Sequence, residues 1–180
     1  MFRRNRQSVA AEHASCDDFR KIFTEDMNGL HLLAMLLTAD ESLAAECFVA
    51  GLEDGIRDNS VFQQWARSWS KRAIIKNAIS AIKPGQMDER DNTGLLETGD
   101  DDKDRLFGPV TRLDPLERFV FVMSVLEGYS PDECSSLLSC SLQEVLGARG
   151  QALRALAAGD PYSEDSIDVP LTMLMAAGAA

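Results

Sequence analysis

Two pairs of cations, Arg67/Lys71 and Arg72/Lys76, are spaced four residues apart, and so are Trp65 and Trp69 beside them. On a helix that spacing sets the side chains in neighbouring rows. Cations neutralise phosphates, and aromatic faces stack on unpaired bases, so the combination suits a single nucleic-acid strand. A plainer arrangement puts both tryptophans in the core and leaves the cations solvated. Core packing is the better account of the tryptophans, and nucleic-acid contact the better account of the cations. Asn77, Gln143 and Arg149 can also reach bases or phosphates, though each fits ordinary surface or capping duty equally well.

Other chemistries find less support. The chain contains no nucleophile-elbow, phosphate-loop, zinc-protease or dinucleotide-binding motif. Neither His13 nor His31 has an evident nucleophile partner, so no catalytic site is expected. Cys16, Cys47, Cys134 and Cys140 include no CxxC pair, and both histidines lie far from the last two cysteines. Zinc-ligand spacing is therefore missing, and four reduced, mostly buried thiols are expected in a cytoplasmic protein. The run Asp100-Asp101-Asp102 lacks the spacing of a cation loop and reads as solvated linker. No metal or cofactor is expected.

These side chains need elements to hold them. The 180 residues carry a net charge of −11 and are 45% hydrophobic, enough for a core. An acidic chain repels nucleic acid, so any such role requires a local basic surface. Residues 57–83 supply one, with six cations against Asp58 alone. Residues 84–111 reverse the sign, with eight acids against three cations and repeated Gly and Pro, and read as a flexible acidic linker. The segment Met1–Arg6 is basic but has no apolar core behind it and does not read as a signal peptide. No apolar run approaches the roughly 20 residues needed to span a bilayer. The tail, 159–180, ends in an apolar stretch read as either a disordered end or a segment that docks on the body.

Helix starts are legible. Thr38…Glu41, Asp114…Glu117, Ser130…Glu133 and Ser141…Glu144 each place a capping oxygen three residues before a glutamate, and Pro115 and Pro131 occupy first helical positions. They predict helices near 40–56, 115–127, 131–138 and 142–157, the second ended by Gly128. Apolar periodicity predicts two more, near 17–37 and 59–82, with Gly29, Gly51 and Gly55 as weak points. No strand alternation is evident. The fold class is all-α. Two helical domains, 1–83 and 112–158, are joined by the linker 84–111 and followed by the tail. In the second domain, a short helix, a turn over Ser139-Cys140-Ser141 and a longer helix follow the helix-turn-helix plan, whose last helix can enter a major groove.

The run from Leu113-Asp114-Pro115-Leu116-Glu117-Arg118 through Gly128-Tyr129-Ser130-Pro131-Asp132-Glu133-Cys134 resembles the opening of region 4 of bacterial sigma factors. Leu137 to Val145 and Ala152-Leu153-Arg154-Ala155-Leu156 resemble the remainder. More loosely, Thr38-Ala39-Asp40 through Ala45-Glu46, Phe62-Gln63-Gln64-Trp65, and Trp69 through Asn77 are similar to region 2. The implied group is the extracytoplasmic-function type, which keeps only regions 2 and 4. The resemblance implies binding to core RNA polymerase, contact of region 2 with melted −10 promoter DNA and of region 4 with the −35 element, and a possible anti-sigma partner. On this footing Asp40, Glu46, Cys47 and Ala50 fall on the polymerase-binding stretch. Arg67, Lys71, Arg72, Lys76 and Asn77 fall on the −10 side, and Gln143, Arg149 and Arg154 on the recognition helix.

The chain departs from that pattern in places. Cys47 and Ala50 stand where the family usually has an acid and a glutamine, and Ala81 where an aspartate usually follows the asparagine. The recognition helix has only Arg149 and Arg154 as cations, with Leu146, Gly147 and Ala148 at its exposed start. A sigma-like module that binds an anti-sigma factor and little DNA is the rival expectation.

Overall fold

The computed structural model describes residues 12–57, 60–84 and 107–158. They form an all-α fold of seven principal helices: α1 Cys16–Glu25, α2 Met27–Thr38, α3 Glu41–Arg57, α4 Ala66–Ile82, α5 Pro115–Phe121, α6 Pro131–Leu138 and α7 Leu142–Ala158. None is long and apolar enough to cross a membrane.

The single helix expected at 17–37 is two helices, broken at Asp26 (φ −113°, ψ 27°). An aspartate competes with helical hydrogen bonding through its side chain, and Asp26 is also tied outward, its Oδ2 2.8 Å from the Arg67 guanidinium. The two helices then bury different faces. Only Phe19 and Phe23 of α1 are buried, whereas α2 buries Leu30, Leu33, Ala34, Leu36, Leu37 and Thr38 and runs through the middle of the molecule. A capping box, Ser15 with Asp18, opens α1 and was not anticipated from sequence.

The cap of α3 also differs from expectation. Thr38 belongs to the last turn of α2, where its hydroxyl donates to the Ala34 carbonyl at 2.9 Å. Ala39 then turns left-handed (φ 53°), and Asp40 is the cap, its Oδ1 accepting from Leu43 N–H at 2.8 Å. Gly51 and Gly55 weaken α3 as a helix but let it approach its neighbours. A methyl on Gly51 would stand 2.9 Å from Ile74 Cγ1, and one on Gly55 2.7 Å from Phe19 Cδ1. The helix expected from residue 59 starts at Ala66, after a 3₁₀ turn over Gln63–Trp65. The residues before that turn pair with residues 12–14 in a short antiparallel bridge, with Ala14 N–H donating to Val61 O and Gln63 N–H to Glu12 O.

Of the expected linker 84–111, residues 85–106 lie outside the described residues, while 107–111 form a helical turn. Residues 1–11, 58–59 and the tail 159–180 also lie outside the described residues. Helix α5 runs into a π-helical turn over Val122–Leu126, closed by Glu127 N–H to Val122 O, so the last turn of the helix expected over 115–127 is wider than an α-turn. Gly128 (φ 75°) ends it. Both halves share one core: Phe23, Leu37 and Ile75 belong to the same buried cluster as Phe119, Met123 and Val145.

Arg118 joins the halves from inside. It is 5% exposed. Its Nε donates to Leu37 O at 3.0 Å and its Nη2 to Thr38 O at 3.4 Å, both at the end of α2, while Nη1 reaches Thr111 O and Leu113 O. Helix ends leave carbonyls without partners and carry partial negative charge. A planar five-donor cation satisfies several of them at once. Burial pushes the Arg118 pKa down to about 10, which leaves it charged at neutral pH.

Candidate nucleic-acid interface

The exposed side of α4 follows from its composition. It holds Arg67, Lys71, Arg72 and Lys76 and no acid, while Ala66, Ser70, Ala73, Ile74, Ile75 and Ala78 face inward. The four cations do not share one fate. Arg67 pairs with Asp26. Lys71 Nζ lies 2.8 Å and 3.0 Å from the two Glu127 oxygens in a partly buried contact that ties α4 to the end of the π turn. Arg72 and Lys76 are exposed and have no ion-pair partner among the described residues.

Arg72 and Lys76 line a cleft of about 470 Å³ between α3 and α4, together with Asp54, Arg57, Trp69 and Ala73. Arg57 is held by Glu53 at 2.7 Å and Asp54 at 3.5 Å. Asn77 is committed to the framework: its amide donates to Asp54 Oδ2 at 3.0 Å and to Ala73 O at 2.9 Å, bridging α4 to α3. The asparagine expected on the −10 side thus braces the cleft wall. Arg57 entered the sequence reading only as one cation of the stretch 57–83, and Asp54 not at all. Both lie on α3, and their place in the cleft depends on how α3 packs against α4, which no single periodic pattern reveals.

The tryptophans divide. Trp69 is half-buried, set edge-on to Phe19 with ring centroids 5.4 Å apart. Trp65 is 57% exposed and packs edge-on against Phe62 at 5.4 Å, which in turn stacks on His13 at 4.7 Å. The core reading thus fits Trp69 and fails for Trp65. The 3₁₀ turn explains the difference, because it takes Trp65 off the helical row that Trp69 occupies.

The C-terminal helices adopt the expected order of short helix, turn and long helix. Ser139 (φ 54°) makes the turn, and Ser135 Oγ braces it by donating to Cys140 O at 2.6 Å. Two full capping boxes open α6 and α7: Ser130 with Glu133 and Ser141 with Glu144. In α7, Gln143 and Arg154 are exposed and Arg149 is half-buried. Glu144 and Gln151 are exposed as well, and between these polar groups stand three exposed leucines, Leu142 39%, Leu146 46% and Leu153 45%. Buried Cys134 has its thiol pushed up to about 11, chiefly by burial, so it is no ready thiolate.

The expected polymerase-facing residues separate. Glu46 and Ala50 line a shallow groove on α3 with Ala45, Val49 and Glu53. Asp40 serves as the α3 cap. Cys47 is a core residue, 3% exposed, its thiol pKa raised by burial and then by Glu46. The groove that Glu46 and Ala50 share does not include it. Among the described residues, no cluster of His, Cys, Asp or Glu is arranged to hold a metal. Compared with family models and with curated proteins, the chain matches none.

Proposed function

We propose that the chain is a sigma-type transcription initiation factor, acting in the cytoplasm, that binds core RNA polymerase and promoter DNA. In this reading the α3–α4 cleft is its main nucleic-acid contact. The observation that carries the reading is the pair Arg72 and Lys76, cationic and without ion-pair partners among the described residues, set beside the Trp69 ring in one cleft. Phosphates of an unpaired strand meet the cations, and exposed Trp65 offers a base a stacking face. The resemblance of residues 113–156 to sigma region 4 supports a promoter role, and the groove at Glu46 and Ala50 is the surface offered to polymerase. The test is transcription from a promoter library by core polymerase plus this chain. Promoter-dependent transcripts that weaken in Arg72→Ala/Lys76→Ala are expected. A pull-down that recovers no core polymerase at any salt concentration would sink the proposal.

A second reading is favoured by one observation, the exposed leucines of α7. On that reading the chain is a sigma-like interaction module that binds an anti-sigma factor and little DNA. Gel shifts separate the two. Promoter binding with a steep salt dependence supports initiation, and no binding at low salt supports the module.

A further inference from the structure

The outer side of α7 carries a line of exposed leucines where a duplex-reading helix is cationic. Leu142, Leu146 and Leu153 follow one another at four and seven residues, which sets them within about 40° of one line along the helix. Gly147 and Gly150 interrupt this region, and a methyl on either would meet nothing within 4 Å. Each glycine weakens its helix relative to alanine, yet neither serves a close contact within the described chain. Both leave room for another backbone. Arg149 and Arg154 lie on the same helix, and its one acid, Glu144, is taken by the Ser141 cap. The open surface is therefore a leucine line accompanied by two arginines, of which Arg149 is half-buried and Arg154 also faces Glu117 of α5.

We propose that residues 159–175 of the same chain cover this surface. That segment holds Asp160, Glu164, Asp165 and Asp168, and no cation lies between 159 and 180. Leu171, Met173, Leu174 and Met175 follow. The order fits a chain that turns back along α7, its acids passing Arg154 and Arg149 before its apolar residues come alongside Leu146 and Leu142. The reach is ample. Ala158 to Leu146 is about 18 Å along the helix axis, and residues 159–170 can span up to roughly 40 Å when extended. Methionine is unbranched and fills irregular gaps such as those beside Gly147 and Gly150. A second copy of α7 is a poorer occupant, because it opposes arginines with arginines. The consequence is competition: the tail and any duplex contend for one helix face.

Amide hydrogen exchange on the full chain tests this. Residues 169–176 should exchange about tenfold or more slowly than an unstructured chain. That protection should vanish in Leu146→Asp/Leu153→Asp, whose substituted side chains are already exposed and whose circular dichroism should not change. Leu171→Asp/Leu174→Asp should raise exchange at α7 amides while leaving α4 amides unaltered. Full-speed exchange of 169–176 in the unaltered chain would overturn the proposal. Protection that fades on dilution would also overturn it, by assigning the face to a second copy.

Discussion

Helices α4 and α7 are both seventeen residues long, and sequence assigns nucleic-acid contacts to both, but their surfaces differ. Helix α4 carries four cations and no acid; α7 carries two arginines, one glutamate and a line of exposed leucines. Two of the α4 cations are then consumed by Asp26 and Glu127. Counting charges along a helix therefore overstates what a ligand meets. What remains is a local pair, Arg72 and Lys76, over a cleft. Helix-turn-helix geometry and a concentrated cationic surface thus sit on different elements.

The two regions are physically joined, and the join gives the largest expected effect. Arg118→Ala strands the carbonyls of Leu37 and Thr38 at the end of α2, along with those of Thr111 and Leu113. Urea denaturation should show a loss of about 3 kcal/mol or more, since each buried group left without a partner costs roughly 1–3 kcal/mol. Arg118→Lys should recover little, because a single ammonium cannot reproduce the planar fork. A variant as stable as the parent would show that the two halves do not depend on this contact.

The same substitution should act with opposite sign in the two regions. Gly55→Ala drives a methyl to 2.7 Å from Phe19, and Gly51→Ala drives one to 2.9 Å from Ile74. Each should destabilise by about 1–3 kcal/mol through overpacking. Gly147→Ala and Gly150→Ala meet open space and should stabilise by about 0.5–1 kcal/mol each through helix propensity. Thermal melts of the four variants decide the matter. A gain at Gly55 or a loss at Gly147 would reverse the assignment of which helix is packed and which is open.

The charge contrast predicts a smaller, salt-dependent effect. Arg72→Ala/Lys76→Ala should weaken single-stranded DNA binding about tenfold at low salt and reduce the salt slope by roughly 0.7 per cation. Arg149→Ala/Arg154→Ala should change both quantities less. Equal effects from the two pairs would erase the distinction between α4 and α7.

How much of this was legible depended on the range of the signal. Local rules worked where the determinant was local. Ser130–Glu133 and Ser141–Glu144 form the expected boxes, Gly128 stops its helix, and the all-α class follows from periodicity. Tertiary partners defeated the same rules elsewhere. Thr38…Glu41 has the spacing of a box, yet Asp40 took the capping role because α2 continues through Thr38. One apolar face over 17–37 became two helices because Asp26 interrupts it and is held by Arg67, 41 residues later. Asn77 fitted base contact and ordinary surface duty equally well by sequence, and Asp54, 23 residues earlier, takes its amide. Cys47 sits on a stretch that resembles a polymerase contact but turns into the core. The burial of Arg118 lay in no pattern, although its position within the run that resembles region 4 marked it.

Helix starts also distinguish the two regions, and this gives the smallest effect. Helices α6 and α7 open on boxes whose carboxylates titrate; α4 opens at Trp65 with no side-chain cap. Glu133 is held below the ordinary carboxylate range by the Ser130 backbone N–H and then its hydroxyl. Glu144 is held low by the Ser141 hydroxyl and then its backbone N–H. A folded pKa below the unfolded one means the unfolded chain binds more protons in between, so stability rises with pH there. The contribution is whole above the unfolded value, near 4.3 for glutamate, and is lost as pH falls through the lower folded values. Glu117 works the other way, since burial and then Asp114 raise its pKa, so its protonation favours the fold as pH falls. Glutamine still serves in a capping box but does not titrate. Glu133→Gln/Glu144→Gln should therefore keep near-parental stability at pH 7 and flatten the acid limb. The change should concentrate in hydrogen exchange at the first turns of α6 and α7, with the first turn of α4 indifferent. An unchanged acid limb in the double variant would mean the pH dependence arises elsewhere, and the two helix starts would no longer differ in this respect.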